Sequence, residues 1–168
     1  SLTANDSTFD ANSANGGGGV NSSGTAVLKA VTVTANNSNN SNGGGIARNG
    51  GTFNVSGSIL AGNNGLNGRD CSGSPTFAFA NIVQNTPGCN PTGTPLLIAD
   101  PKLGLMGDNG GATRTRLPST GSPAVEGYAA PCVTDADQRS LGGIATEMVA
   151  LFESLLKGTG IQIGGGQP

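Results

Sequence analysis

The stretch that decides how this chain folds is VTVTANNSNNSNGGGIARNGGTFNVSGSILAGNNG, residues Val31 to Gly65. Within it, Val31 and Val33 lead by alternation to Asn36, and a triple glycine, Gly43-Gly44-Gly45, runs into Ile46. The order then starts again with Phe53 and Val55, Ser58 and Leu60, and Asn63. Upstream, Leu2 and Ala4, Ser7 and Phe9, Asn12, and Gly17-Gly18-Gly19-Val20 set out the same unit. Asn12, Asn36 and Asn63 therefore fall in register, 24 and 27 residues apart. A period in the twenties marks a stacked repeat. The apolar residues alternate with a period of two, so each repeat supplies strands and not helices.

Strands offset by one repeat pair in parallel, about 4.8 Å apart. Inward positions then stack as columns, Phe9 over Val33 over Leu60. Gly and Asn between the strands are expected to supply the left-handed corners of tight bends. The recurring Asn12, Asn36 and Asn63 are expected to stack as a side-chain amide ladder that satisfies turn carbonyls. The fold implied is all-β: a right-handed parallel β-helix of about three coils.

After Asn63 the triple glycine is missing, and terminal repeats of solenoids are atypical because one face has no neighbour. From Cys71 onward the chain reads as a closing structure. The division expected is β-helix coils with an atypical last coil over 1–98, a capping region over 99–143, and an amphipathic helix with a tail over 144–168. In the last part Ile144, Met148, Phe152 and Leu155 share one helical face, Thr146 can cap and Gly158 can stop the helix. That face covers the open end of the β-helix, docks on a partner or lies on a membrane surface, the last disfavoured by its single Lys.

Composition narrows the function. The chain has 168 residues, 30 of them Gly, with only 11% charged and a net charge of −2, so there is no basic stripe for nucleic acid. It has no His, which removes nucleophilic triads, and no window long and apolar enough for a membrane span. Cys71 and Cys89 bracket a short loop and are the expected disulfide of an oxidising compartment, while Cys132 is left free or paired outside the chain. With no His and no C-x-x-C spacing, no metal is expected, and no cofactor either. The triple glycines lack the G-K-[ST] of a phosphate loop and the Asp of a calcium roll. The sequons at Asn5, Asn21, Asn36, Asn39 and Asn54 follow from abundant Asn and Ser.

One segment looks like a site: DNGGATRTRLPSTGSPAVEG, Asp108 to Gly127. Asp108, Arg114 and Arg116 could form a carbohydrate- or carboxylate-binding cluster, since arginine forks suit such ligands. The same residues fit a hairpin-type bend followed by a strand, with Glu126, Asp135 or Asp137 pairing the arginines. The paired arrangement is the one expected. A polysaccharide lyase or glycoside hydrolase would need facing carboxylates, or a base with acidic Ca²⁺ ligands. The coils carry only scattered Asp6, Asp10, Lys29, Arg48, Arg69 and Asp70, with no acidic column, so the module is expected to be non-enzymatic.

Taken together, GGGI, GGTFNVSGSILAGN, DCSG, ADPKLG, DNGGATRTRL, GSPAVEG and DQR resemble secreted bacterial proteins of the choice-of-anchor Q type. Those proteins are similar to polymorphic outer-membrane-protein-like and pectate-lyase-like right-handed β-helices. The resemblance covers about Ser1 to Arg139. It implies a bacterial surface or extracellular β-helix with a C-terminal structural cap, its far end carrying a sorting or anchoring segment. The chain departs from the family after Asp-Gln-Arg, where a short Cys-Asp-Ile-Gly-Ala-Phe-Glu-like strand is replaced by the segment with the helical pattern.

The expected role is thus a structural or adhesive module, with polysaccharide as a possible ligand. The chain opens at Ser1 and not at Met, as a mature or excised piece would, and it enters a coil directly. Either an upstream portion or a head-to-tail copy of the chain would cover that edge, as a filament subunit or within a larger surface assembly.

Overall fold

A computed structural model of the chain describes residues 1–39 and 42–125. Among them every element is a strand, and all strand pairs are parallel. The result is a β-solenoid of about three turns. The helical face Ile144, Met148, Phe152 and Leu155, together with Cys132 and the acids Glu126, Asp135 and Asp137, lies outside the described residues.

The widest sheet stacks β1 (Leu2–Asn5), β5 (Thr25–Lys29), β9 (Thr52–Ser56), β12 (Thr76–Ala78) and β14 (Thr92–Gly93). A second sheet stacks β2 (Thr8–Asp10), β6 (Thr32–Thr34), β10 (Ile59–Ala61) and β13 (Ile82–Val83). A third joins β4 (Val20–Ser22), β8 (Ile46–Arg48) and β11 (Cys71–Ser72), and β3 (Ser13–Ala14) pairs with β7 (Asn37–Ser38).

The register is the one the repeat sets. Leu2 pairs with Ala26 and Ala26 with Phe53; Ala4, Leu28, Val55 and Phe77 form the next column. Phe9, Val33, Leu60 and Val83 form another, and Val20, Ile46 and Cys71 a fourth. Phe53, Phe77, Leu28, Ile46 and Leu60 are fully buried in this core. Each contributes on the order of 1.5–3 kcal/mol by leaving water. A narrow solenoid has room for one or two such side chains per face, which is why the sequence needs so few aromatics.

Two expectations change. Closure does not begin at Cys71, because β11 completes the third coil, β12 and β13 continue the columns as a fourth, and β14 and Leu97 stack on these as the start of a fifth. The corners are not built by Asn. Glycine supplies some of them, as expected, at Gly17, Gly51 and Gly73, but the two corners that flank the second sheet are the left-handed columns Asp6, Ala30, Gly57 and Phe79, and Ala11, Ala35 and Gly62, with φ between 45° and 67°. Most of these carry a Cβ, at a cost of about 1–2 kcal/mol each. Stacking imposes the bend on whichever residue occupies the corner.

The asparagines sit just after the second of these corners and form the expected ladder. The Asn12 backbone N–H and Nδ2 donate to Asn36 Oδ1 at 2.9 and 3.0 Å. Asn36 repeats this toward Asn63 Oδ1 at 3.0 and 2.9 Å, and its Nδ2 also reaches the Phe9 and Thr34 carbonyls. Asn36 is 1% exposed, so its sequon is closed to modification in the folded chain. The expected outcome of Asn36→Ala is a loss of at least about 3 kcal/mol, because several buried partners lose their hydrogen bonds at once. Asn12→Ala, at the solvent-facing end, should cost about 1 kcal/mol or less. Chemical denaturation of the two variants against the parent chain measures the contrast, and equal losses would show that the ladder does not hold the coils.

Candidate functional site

Three groups of polar residues could carry chemistry: the end of the ladder, the disulfide beside it, and the returning segment with Asp108, Arg114 and Arg116.

The ladder ends on an acid. Asn63 donates its backbone N–H and Nδ2 to Asp70 Oδ1 at 3.0 and 2.8 Å, and Asn85 donates its backbone N–H to Asp70 Oδ2 at 2.7 Å. Asp70 holds the register position that Gly19 and Gly45 hold in the earlier coils, directly before Val20, Ile46 and Cys71. Those two glycines have no room for a side chain. A Cβ on Gly19 would stand 3.1 Å from Asn36 Nδ2, and one on Gly45 would stand 2.9 Å from Asn63 Nδ2. In the fourth coil Thr86 takes the register position of the ladder asparagine, and Asp70 supplies its carboxylate as the acceptor that the next amide would have been. Sequence reasoning assigned Asp70 no role, although the replacement of the column's glycine by Asp was a readable signal.

Asp70 is 1% exposed, and burial pushes its pKa above the ordinary 3.8, against the hydrogen bonds from Asn63 and Asn85 and the Arg69 charge, which lower it. The folded chain therefore holds this proton more tightly than the unfolded chain does. The stability contributed by protonated Asp70 is full below pH 3.8 and is lost as pH rises through the raised folded pKa. In Asp70→Asn this pH dependence is absent. The stability of the parent chain minus that of the variant should fall as pH climbs through this window and then level off. Urea titrations across pH 3–7 test it, and a difference that rises with pH would reverse the assignment.

Beside Asp70, Cys71 and Cys89 lie at bonding distance, with S–S 2.01 Å, and tie the third coil to the turn before β14. Closing a loop of this size stabilises by about 3 kcal/mol in the chain-entropy model.

Beyond Leu97 the chain turns back along the solenoid. Gly107 bridges Thr115 and Leu103 bridges Pro118, both antiparallel, around a bend at 110–113. Asp108 Oδ1 accepts the Gly110 N–H at 3.2 Å, so it closes its own turn. Arg114 is exposed and donates to the Met106 carbonyl at 2.8 Å. Arg116 donates to the Gly104 carbonyl at 3.2 Å and pairs with Asp10 of the first coil at 2.6 Å. The structure does not bring Asp108, Arg114 and Arg116 to one point. Among the described residues the acid that Arg116 meets is Asp10; Glu126, Asp135 and Asp137 lie outside them.

Leu97 stacks on β13 as a fifth rung and Arg116 meets the first, so 98–116 spans four inter-strand steps, roughly 19 Å. At the first coil the segment leaves an open cleft of about 770 Å³. Asp6, Phe9, Asp10 and Asn12 line one side, Met106 and Arg114 the other.

No group of His, Cys, Asp and Glu suited to a metal is present among the described residues. No helix among them is long and apolar enough to cross a membrane. Comparison with protein families, with characterised proteins and with solved structures finds no match to this chain.

Asp10 and Arg116 are mostly buried, so their pair acts as a strap that fastens the returning segment to the first coil. A double-mutant cycle with Asp10→Ala and Arg116→Ala should return a coupling of about 1 kcal/mol. Either single variant should also speed proteolysis between Leu103 and Leu117. A coupling of zero with unchanged proteolysis would show that the strap holds nothing.

Proposed function

We propose that this chain is a non-enzymatic structural module of an extracellular or cell-surface protein, a right-handed β-helix segment that supplies stiffness and surface. One observation carries the reading: the polar side chains that could have been chemistry are used on the chain itself. Asn36, Asn63 and Asp70 close the ladder, Asp108 closes a turn, and Arg114 and Arg116 hold the returning segment. The cysteine pair at bonding distance and the resemblance to secreted bacterial β-helices support the location.

Two measurements test it. Incubated with polyuronates and neutral polysaccharides, the chain should release no reducing ends and no unsaturated uronate. Depolymerisation abolished by Arg114→Ala/Arg116→Ala would replace this reading with an enzymatic one. In its native cells the chain should be open to protease added outside, with Cys71 and Cys89 oxidised. Recovery only from the reducing interior, with both thiols free, would remove the surface assignment.

A further inference from the structure

Asparagine is a chemically labile residue, and most so before glycine, whose N–H no Cβ screens from the asparagine side chain. The chain holds six such steps, at Asn15, Asn42, Asn49, Asn64, Asn67 and Asn109. Reaction at any of them needs two freedoms. The side-chain amide must swing toward the following nitrogen, and the Asn–Gly peptide must turn to present that nitrogen.

The fold removes one or both at five of the six steps. Asn42 donates Nδ2 to Asn49 Oδ1, and the Gly43 N–H is spent on Ser72 Oγ at 2.8 Å, out of solvent. Asn49 is gripped twice, since it accepts from Asn42 and donates to Asn21 Oδ1 at 2.7 Å. Asn64 donates to Asn37 Oδ1 at 2.7 Å, and its carbonyl accepts the Ser38 N–H. Asn109 donates to the Thr115 carbonyl at 2.8 Å, and the Gly110 N–H is held by Asp108. At Asn15 the carbonyl accepts Ser38 Oγ at 3.4 Å, which holds the peptide.

Asn67-Gly68 keeps both freedoms. Asn67 is exposed in a turn, and neither its amide, its carbonyl nor the Gly68 N–H has a hydrogen-bond partner among the described residues. Gly88 lies against this peptide, and a Cβ there would stand 2.7 Å from the Gly68 nitrogen. Glycine at 88 leaves that nitrogen uncovered.

We propose that Asn67-Gly68 is a site of spontaneous modification, with water as the only co-reactant. The Gly68 nitrogen attacks Asn67 Cγ, the Cγ–Nδ2 bond breaks, and ammonia leaves with the Gly68 proton. The cyclic imide that forms is opened by water at either carbonyl. One opening gives aspartate; the other gives isoaspartate, in which the main chain runs through Cβ and Cγ. In sum one water is consumed, one ammonia is released, and a neutral amide becomes a carboxylate.

The place of this step gives the product its effect. The carbonyls of Gly68, Arg69 and Asp70 accept the N–H groups of Gly44, Gly45 and Ile46 at 3.0, 2.9 and 3.0 Å. Asn67 thus stands at the entry of the rung that delivers Asp70 to the ladder and Cys71 to the disulfide. An isoaspartyl link lengthens the main chain there and adds a negative charge, so the Gly44–Gly68 bond is the first to give.

The test keeps the full chain in mildly alkaline buffer at body temperature and follows all six steps by peptide mass, with fragmentation that separates isoaspartate from aspartate. A retained hydrogen bond of ordinary strength slows such a step roughly fivefold. In the folded chain Asn67 should therefore convert first, at least about fivefold faster than the other steps. Unfolded in urea with the disulfide reduced, the six should converge. A lead by any other step, or the same lead for Asn67 in the unfolded chain, would overturn the proposal. Hydrogen exchange at the Gly44 amide should quicken at least fivefold in the aged chain and stay unchanged in equally aged Asn67→Gln. Unchanged exchange in a fully converted parent chain would overturn the loosening of the rung.

Discussion

The hydrogen bonds from one asparagine to the side-chain oxygen of the next are the constraint on which this solenoid depends. Each of these amides satisfies a backbone N–H from the coil before it and carbonyls at the bend, so it fixes coil to coil where the sheets are interrupted. The sheets alone would tolerate slippage, since short polar strands specify register weakly. The ladder removes that freedom. The same stacking explains Gly19 and Gly45, before β4 and β8, because the main-chain carbonyl and the amide of the next coil occupy the space a Cβ would need.

The apolar core is modest, and the burden is shared with polar bonding. Buried polar residues stand beside the hydrophobic columns, and no buried side-chain polar atom among the described residues is left without a partner. A half-satisfied network would be worse than an apolar one. This chain therefore closes its network at Asp70 instead of letting it lapse. The disulfide next to that carboxylate holds the third and fourth coils together where the repeat becomes irregular.

Much of this was legible in the sequence, for a physical reason. Columns and ladder come from contacts one repeat apart, and periodicity reports contacts of that kind. Phe9, Val33 and Leu60, or Asn12, Asn36 and Asn63, announce one another. The left-handed corners at Ala11 and Ala35 were not legible, because alanine has no local preference for that backbone and adopts it only under the stacked coils. The Asp10–Arg116 pair was not legible either. Its members are 106 residues apart and the contact occurs once, so no periodicity reports it. Arg114 and Arg116 looked alike in sequence, yet among the described residues Arg116 meets an acid and Arg114 a main-chain carbonyl.

The glycine-or-aspartate choice before the third-sheet strand also governs how such a rod can grow over evolutionary time. A duplicated unit inserted ahead of Asp70 brings its own glycine and its own asparagine, and lengthens the rod by about 4.8 Å while every amide finds its neighbour. The same unit inserted after Asp70 meets a carboxylate where an open slot is required. Length variation in chains built this way should therefore accumulate on one side of the aspartate, which acts as a stop codon written in hydrogen bonds.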